Sequence, residues 1–127
     1  MSVTQEVKIK GIDVAVYLVK DVARAKAFWR DKMGCDVSSE WGDMGAEFEF
    51  PDGTTFGLFK PDDQEWRRGG GLMFAVDDLD AAVAQYKARG VKLDDDGAIE
   101  DTPVCRMAFG EDSEGNYFIL HQRKTER

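Results

Sequence analysis

The sequence predicts an α+β domain built from two βαβββ modules in a pseudo-twofold arrangement, with a cleft between curved mixed sheets. Two observations carry that expectation. The stretch Val19-Lys20-Asp21-Val22-Ala23-Arg24-Ala25-Lys26-Ala27-Phe28-Trp29 recurs as Val76-Asp77-Asp78-Leu79-Asp80-Ala81-Ala82-Val83-Ala84-Gln85-Tyr86. Further along, Asp52-Gly53-Thr54-Thr55-Phe56-Gly57-Leu58-Phe59 is echoed by Glu114-Gly115-Asn116-Tyr117-Phe118-Ile119-Leu120-His121. A supersecondary unit used twice implies two halves that complete one another, and the strand, helix and strands within each copy set the fold class.

The first strand runs over Val7 to Val19; there Val14, Val16 and Leu18 alternate with Ala15, Tyr17 and Val19, all apolar, so both faces are expected to be covered. Asp21 is placed to cap a helix that ends at Met33 before Gly34. Its stripe of Val22, Ala25, Phe28, Trp29 and Met33 has helical spacing. Three strands follow, over Asp36–Trp41, Ala46–Phe50 and Thr54–Lys60, the last two joined at Asp52-Gly53. The second copy repeats the series. Its strand covers Leu72–Val76, its helix Asp78–Arg89 before Gly90, and a short strand Val91–Leu93. Strands over Val104–Phe109 and Tyr117–His121 complete it, joined through Asp112-Ser113-Glu114-Gly115-Asn116.

With 127 residues the chain makes one domain, 1–127, of module 7–60 and module 70–122 joined by linker 61–69. A net charge of −8 argues against nucleic acid and anionic membrane, both of which reward clustered Lys and Arg. Cys35 and Cys105 have no paired spacing and read as free, buried thiols of a reducing compartment. Met1 to Lys10 is too polar for a signal peptide, and no apolar run is long enough to span a bilayer. The expected setting is cytoplasmic. Gly69-Gly70-Gly71 precedes a strand and lacks the Lys and Ser/Thr of a phosphate loop.

Ile12-Asp13-Val14-Ala15-Val16 through Asp21, Ala27-Phe28-Trp29-Arg30-Asp31-Lys32-Met33-Gly34, Phe74 to Val83 and Asp112 to Asn116 together resemble the vicinal oxygen chelate superfamily. That superfamily includes glyoxalase I, bleomycin-resistance proteins and extradiol dioxygenases. The resemblance covers residues 9 to 122 and implies a homodimer with a small-molecule site in the cleft. In metal-using members, the first and last strands of each module supply the ligands. Those positions fall here on Val14, Gly57, Gly71 and Ile119, whose side chains carry no donor, so no metal cofactor is expected.

Strand alternation sorts the remaining candidates. Val16, Leu18, Phe59, Met73, Tyr117 and His121 share the parity of the four ligand positions and are assigned to the cleft. Gly57 and Gly71 remove bulk at its centre. An apolar, aromatic-lined hollow is the usual make-up of a small-molecule site, although the same residues would also serve as packed core. Glu47 faces the cleft opposite Gly57 if three residues follow Phe50 in the turn. A two-residue turn would bury Glu47 and Glu49 against the helix at high cost. Arg106 shares a face with His121 if a four-residue turn spans Ser113 to Asn116. Trp41 lies near a loop and would wall the pocket, whereas Trp29 packs on the helix side and Trp66 suits either a ligand or a dimer contact.

Two functions follow, and a third stays open. One is a metal-free protein that binds a hydrophobic or aromatic small molecule for sequestration or resistance. The other is a lyase, isomerase or dioxygenase-type enzyme, with His121 and Glu47 or Glu49 as acid–base groups or with an unaligned metal site. Histidine changes charge near neutral pH, which suits such a role. The third is an interaction module whose cleft is closed by packing.

Overall fold

The computed structural model describes residues 12–61 and 66–125. The start of the expected first strand, at Val7, and part of the linker lie outside the described residues. Strand β1 covers Val14–Leu18, helix α1 Val22–Ala27, β2 Val37–Trp41, β3 Gly45–Glu49 and β4 Thr55–Phe59. The second module holds β5 (Leu72–Ala75), α2 (Leu79–Ala88), β6 (Lys92–Leu93), β7 (Glu100–Asp101), β8 (Cys105–Glu111) and β9 (Tyr117–Arg123). The first sheet has the order β1-β4-β3-β2 and the second β5-β9-β8-β6, with β7 added on β8. In each sheet the first strand runs parallel to the last, and the others pair antiparallel. The repeat in the sequence is therefore a repeat in topology, apart from β7, which the sequence did not announce.

Both helices start in the same way. Asp21 and Asp78 are extended, and their carboxylates accept the backbone N–H of Arg24 at 3.0 Å and Ala81 at 3.1 Å. Each cap thus satisfies an amide that has no partner inside the helix. Helix α1 widens into a π-type turn over Phe28–Lys32, so the expected helix to Met33 is one continuous rod with a looser last turn. Gly34 and Gly90 follow with φ of +80° and +81°, the left-handed stop that a Cβ would disfavour.

One core serves both modules. Trp29, almost fully buried, has its ring centre 4.8 Å from Phe56 of the first sheet, and 5.0 Å and 5.7 Å from Phe74 and Phe118 of the second. Phe48, Leu58, Leu79, Ala108 and Leu120 complete a cluster that crosses the module boundary. The contacts with Phe56 and Phe118 are edge to face and that with Phe74 is tilted, and such ring pairs add to the burial of large apolar area.

A polar latch sits beside that core. Glu114, with no exposed side-chain surface, accepts the backbone N–H groups of Lys20 at 2.9 Å and Asp21 at 3.0 Å and is ion-paired with Arg24. Asn116 donates to the Leu18 carbonyl at 3.0 Å and accepts from Gly69 N–H at 2.7 Å. Asp112 holds the turn by accepting the amides of Glu114 and Asn116. The loop before β9 is thus fastened to the joint between β1 and α1. The Trp29 indole N–H, in contrast, is buried without a partner in hydrogen-bond geometry, although it lies near enough to help counter the burial that pushes the Asp112 carboxyl up.

Arg24 and the two amides favour the charged form of Glu114 enough to outweigh its desolvation, so its carboxyl titrates below the ordinary 4.5. A folded value below the unfolded one gives stability above pH 4.5 that is lost as pH falls through the folded value. Glu114→Gln should lower stability by about 2 kcal/mol at pH 7, discounted because half of Arg24 is exposed. Its loss of stability between about pH 5 and 3 should be shallower than that of the native chain. Urea unfolding across that range checks both, and parallel pH curves for the two proteins would refute the latch.

Candidate functional site

The face of each sheet turned away from the shared core carries the candidate residues. On the first sheet Val16 lies beside Gly57 and Gly57 beside Glu47, while Leu18 lies beside Phe59 and Phe59 beside Gly45. Phe50 N–H donates to the Thr54 carbonyl, leaving three residues in the turn, so Glu47 projects from this face rather than into the core. Ser39 and Trp41 of β2 continue the row opposite Glu47 and Gly45. On the second sheet Met73 pairs with Ile119 and Ile119 with Phe109, and the next row is Ala75, His121 and Met107. Tyr117 pairs with Glu111 at the start of β9.

The opposite face of the same strands is buried, with Tyr17, Phe56, Leu58, Phe118 and Leu120 in the core. Val16 at 43%, Trp41 at 45%, Met73 at 54% and Tyr117 at 41% exposure make the candidate face an open apolar surface rather than packed interior. None of the described hydrogen bonds, ion pairs or ring contacts links the candidate face of one sheet to that of the other. The structure therefore brings Val14, Val16, Leu18, Glu47, Gly57, Phe59 and Trp41 together on one sheet. It groups Met73, Tyr117, Ile119 and His121 on the other. His121 does not meet Glu47 or Glu49 within the described chain.

The floor of the first sheet is shaped by glycine. A Cβ at Gly45 would stand 2.7 Å from the Leu58 carbonyl oxygen and from the Phe59 ring, and one at Gly57 would stand 2.9 Å from the same ring. Both contacts are closer than carbon atoms tolerate, so the two glycines let Phe59 lie flat across β3 and β4. Trp41 then stacks on Phe59, with ring centres 5.8 Å apart and an interplanar angle of 22°. The expected opening at Gly57 is corrected here, because the space is taken by the Phe59 ring. At Gly71 no atom lies within 4 Å of a Cβ position, and the φ of +87° is what calls for glycine there.

Arg106 is a second correction. Glu111 pairs with Tyr117, so five residues form the connection, and Arg106 falls opposite Gln122 rather than on the face of His121. A one-residue difference in loop length moves every side chain of β8 to the other face. The Arg106 guanidinium instead makes two hydrogen bonds, of 2.9 Å and 3.1 Å, to the Asp80 carboxylate on α2. The same shift places Met107 and Phe109 on the candidate face, and the sequence reading missed them. Counting five rather than four loop residues would have found them.

Glu47 has no ion-pair partner among the described residues and is half-buried beside Gly57. It is the carboxylate nearest the centre of the first sheet's apolar face. Val14, Gly57, Gly71 and Ile119 offer no donor atom, and among the described residues no group of three or more His, Cys, Asp or Glu stands together to hold a metal ion. These residues do not fit a divalent cation held in the manner that the resemblance implies. Among the described residues, no helix is long and apolar enough to cross a membrane.

The comparisons with known proteins agree with this architecture. A family model described as Glyoxalase/Bleomycin resistance protein/Dioxygenase superfamily matches residues 11–120. TnmS3, an antibiotic binding protein from Streptomyces sp. CB03234, superposes with a TM-score of 0.71 at 28% identity, over 94% of this chain and all (100%) of that one. Lactoylglutathione lyase from Agrobacterium tumefaciens gives 0.75 at 17% identity, over 90% of this chain and 94% of that one. A putative glyoxalase family protein from Bacillus anthracis gives 0.76 at 15% identity, over 94% and 100%. At 17% and 15%, the likeness to the last two speaks for the fold alone. No curated protein matches the chain in sequence.

Gly57→Ala should push the Phe59 ring off its seat and break its stacking on Trp41, at a cost of about 1 kcal/mol. Near-ultraviolet circular dichroism reads the lost ring pair, and an unchanged spectrum would show that Gly57 does not set the floor.

Proposed function

The chain belongs to the Glyoxalase/Bleomycin resistance protein/Dioxygenase superfamily, and on that footing we propose that it is a metal-free member that holds a hydrophobic or aromatic small molecule against its cleft face, for sequestration or resistance. The open apolar floor of the first sheet carries this reading. The Trp41 and Phe59 rings lie nearly parallel there, Val16 and Gly57 extend the surface, and Glu47 supplies one polar group at its centre. A flat guest would cover apolar area now facing water, worth roughly 25 cal/mol per Å² removed. Glu47 would orient a cationic or hydrogen-bond-donating group on that guest. Support also comes from the likeness to TnmS3, an antibiotic binding protein.

A homodimer belongs to the same proposal. Exposed Val16, Trp41, Met73 and Tyr117 leave each face half-covered, and a partner's sheet laid over it would turn two open surfaces into an enclosed cleft. Such an assembly would also be the route by which His121 of one copy approaches Glu47 of another. The acid–base reading depends on that approach. The proposed setting is the cytoplasm.

Elemental analysis of the purified, metal-soaked and desalted protein should find far less than one metal ion per chain. Near-stoichiometric Mn, Fe, Co, Ni or Zn would sink the metal-free reading. Aromatic guests should quench tryptophan emission. Trp41→Ala should weaken them about tenfold and Glu47→Gln weaken cationic guests about threefold, corresponding to roughly 1.4 and 0.6 kcal/mol. His121→Ala and Arg106→Ala should leave affinity unchanged, whereas a loss in His121→Ala equal to that in Trp41→Ala would favour the acid–base reading. Light scattering on the eluting protein should give twice the mass of the chain, and a monomer that still binds the guest would overturn the dimer.

A further inference from the structure

The described end of the linker, from Trp66 onward, lies against the start of β9 and delivers an arginine to the open face of the second sheet. It is fixed at several points. The Trp66 indole donates to the Leu18 carbonyl at 2.9 Å, and the Gly69 backbone N–H donates to the Asn116 side chain at 2.7 Å. The Tyr117 N–H in turn donates to the Gly69 carbonyl at 2.9 Å, and the Tyr117 carbonyl accepts the Tyr17 hydroxyl. Gly70 makes the close passage possible, since a Cβ there would stand 3.2 Å from the Tyr117 Cβ. Linker and tyrosine are therefore held against each other before any guest arrives.

On this support Arg68 is set against the Tyr117 ring. Its guanidinium carbon lies 4.5 Å from the ring centre, within the range of a cation–π contact, and its Nη1 donates to the Tyr117 hydroxyl at 2.6 Å. The chain carries 25 acidic residues against 17 basic ones, yet none of the ion pairs among the described residues includes Arg68. Glu111, the acid opposite Tyr117 in register, is paired with Lys92 at 3.0 Å instead. Arg68 is thus an exposed, oriented cation whose charge no carboxylate of the described chain takes up.

The surface beside it is apolar and clear. Tyr117 and Ile119 share a face of β9, and the exposed Met73 pairs with Ile119. Gly71 adds no side chain, and a Cβ there would meet no atom within 4 Å. From Tyr117 to Ile119 the strand advances about 7 Å, the length of a two-ring arene. A fixed guanidinium with N–H groups to spare matches a planar carboxylate, and the apolar strip matches an aromatic body. We propose that this end of the second sheet is a ligand site for an aryl carboxylate, with the carboxylate at Arg68 and the rings over Met73 and Ile119. It is distinct from the floor at Trp41 and Phe59, and the charge it selects is opposite to the one Glu47 would orient there. The site does not depend on what occupies the first sheet.

The test is an amide-resolved NMR titration of the intact chain with 2-naphthoate, 2-naphthamide and 2-naphthylmethylamine, three probes that share a ring system and differ in charge. Naphthoate should shift the amides of Arg68, Gly71, Met73 and Ile119 and bind about fivefold more tightly than naphthamide, with the amine weakest at this site. Added salt should weaken naphthoate and leave naphthamide unchanged. Arg68→Gln, a change at an exposed position whose effect on folding is read from the remaining amides, should abolish the preference for naphthoate over naphthamide. Naphthoate shifts confined to Val16, Phe59 and Trp41 would overturn the site while leaving the first-sheet reading intact. Equal affinity for naphthoate and naphthamide, or an unchanged preference in Arg68→Gln, would overturn the carboxylate as its ligand.

Discussion

The rest of this fold depends on a buried carboxylate that belongs to one module and serves the other. Glu114 lies in the loop before β9, yet its oxygens take up the amides at the junction of β1 and α1 together with the Arg24 side chain. A carboxylate with no exposed surface is tolerated only when its acceptor capacity is filled. That requirement fixes where the second sheet stands relative to the first helix. Asn116 adds a bond to the Leu18 carbonyl, so β1 is held at its end by the loop that leads into β9. With both ends of the joint set, the aromatic rings around Trp29 have a defined space to fill.

The division of labour between the two faces of each sheet follows from this. The face toward the helices is shared between modules and holds nearly all the large rings, including the Tyr17, Phe56, Phe74 and Phe118 contacts. Beyond the Trp41–Phe59 stack, the other face carries little of this packing in the described chain. It can therefore expose Val16, Met73 and Tyr117 and carry an acidic group at Glu47 without weakening the core. A surface free to vary on a scaffold that is not is the arrangement in which one fold supports many ligands.

Much of this was legible in the sequence where the governing physics is local. Asp21 and Asp78 announced their helices because a cap acts within three residues. The facing of Glu47 and Glu49 was only partly legible: burying two charges disfavoured one register, but the turn length that decides it comes from the Phe50 to Thr54 hydrogen bond. Arg106 failed for the converse reason. No comparable penalty distinguishes a loop of four residues from one of five, since the displaced arginine finds Asp80 on the helix side. The latch was hidden because Glu114 and Asp21 are far apart in sequence, and nothing in a glycine turn reveals which distant amides its acid will meet. Gly57 was correctly picked out as unusual, but its reason is the ring of Phe59 two residues on, a contact that only the geometry of a stacked floor supplies.

That floor also constrains what the chain can become. The place where a carboxylate would have to stand to serve as a ligand from β4 is overlaid by Phe59, with a Cβ at 57 already 2.9 Å from its ring. An acidic side chain introduced there alone would meet the ring before it met a cation. Removing the ring alone would strip Trp41 of its stacking partner and gain nothing in exchange. The two positions are coupled, so each change is unfavourable unless the other has already occurred. A donor at position 57 therefore has to arrive together with a smaller residue at 59, and until both change the flat aromatic floor is kept in place by the cost of either step alone.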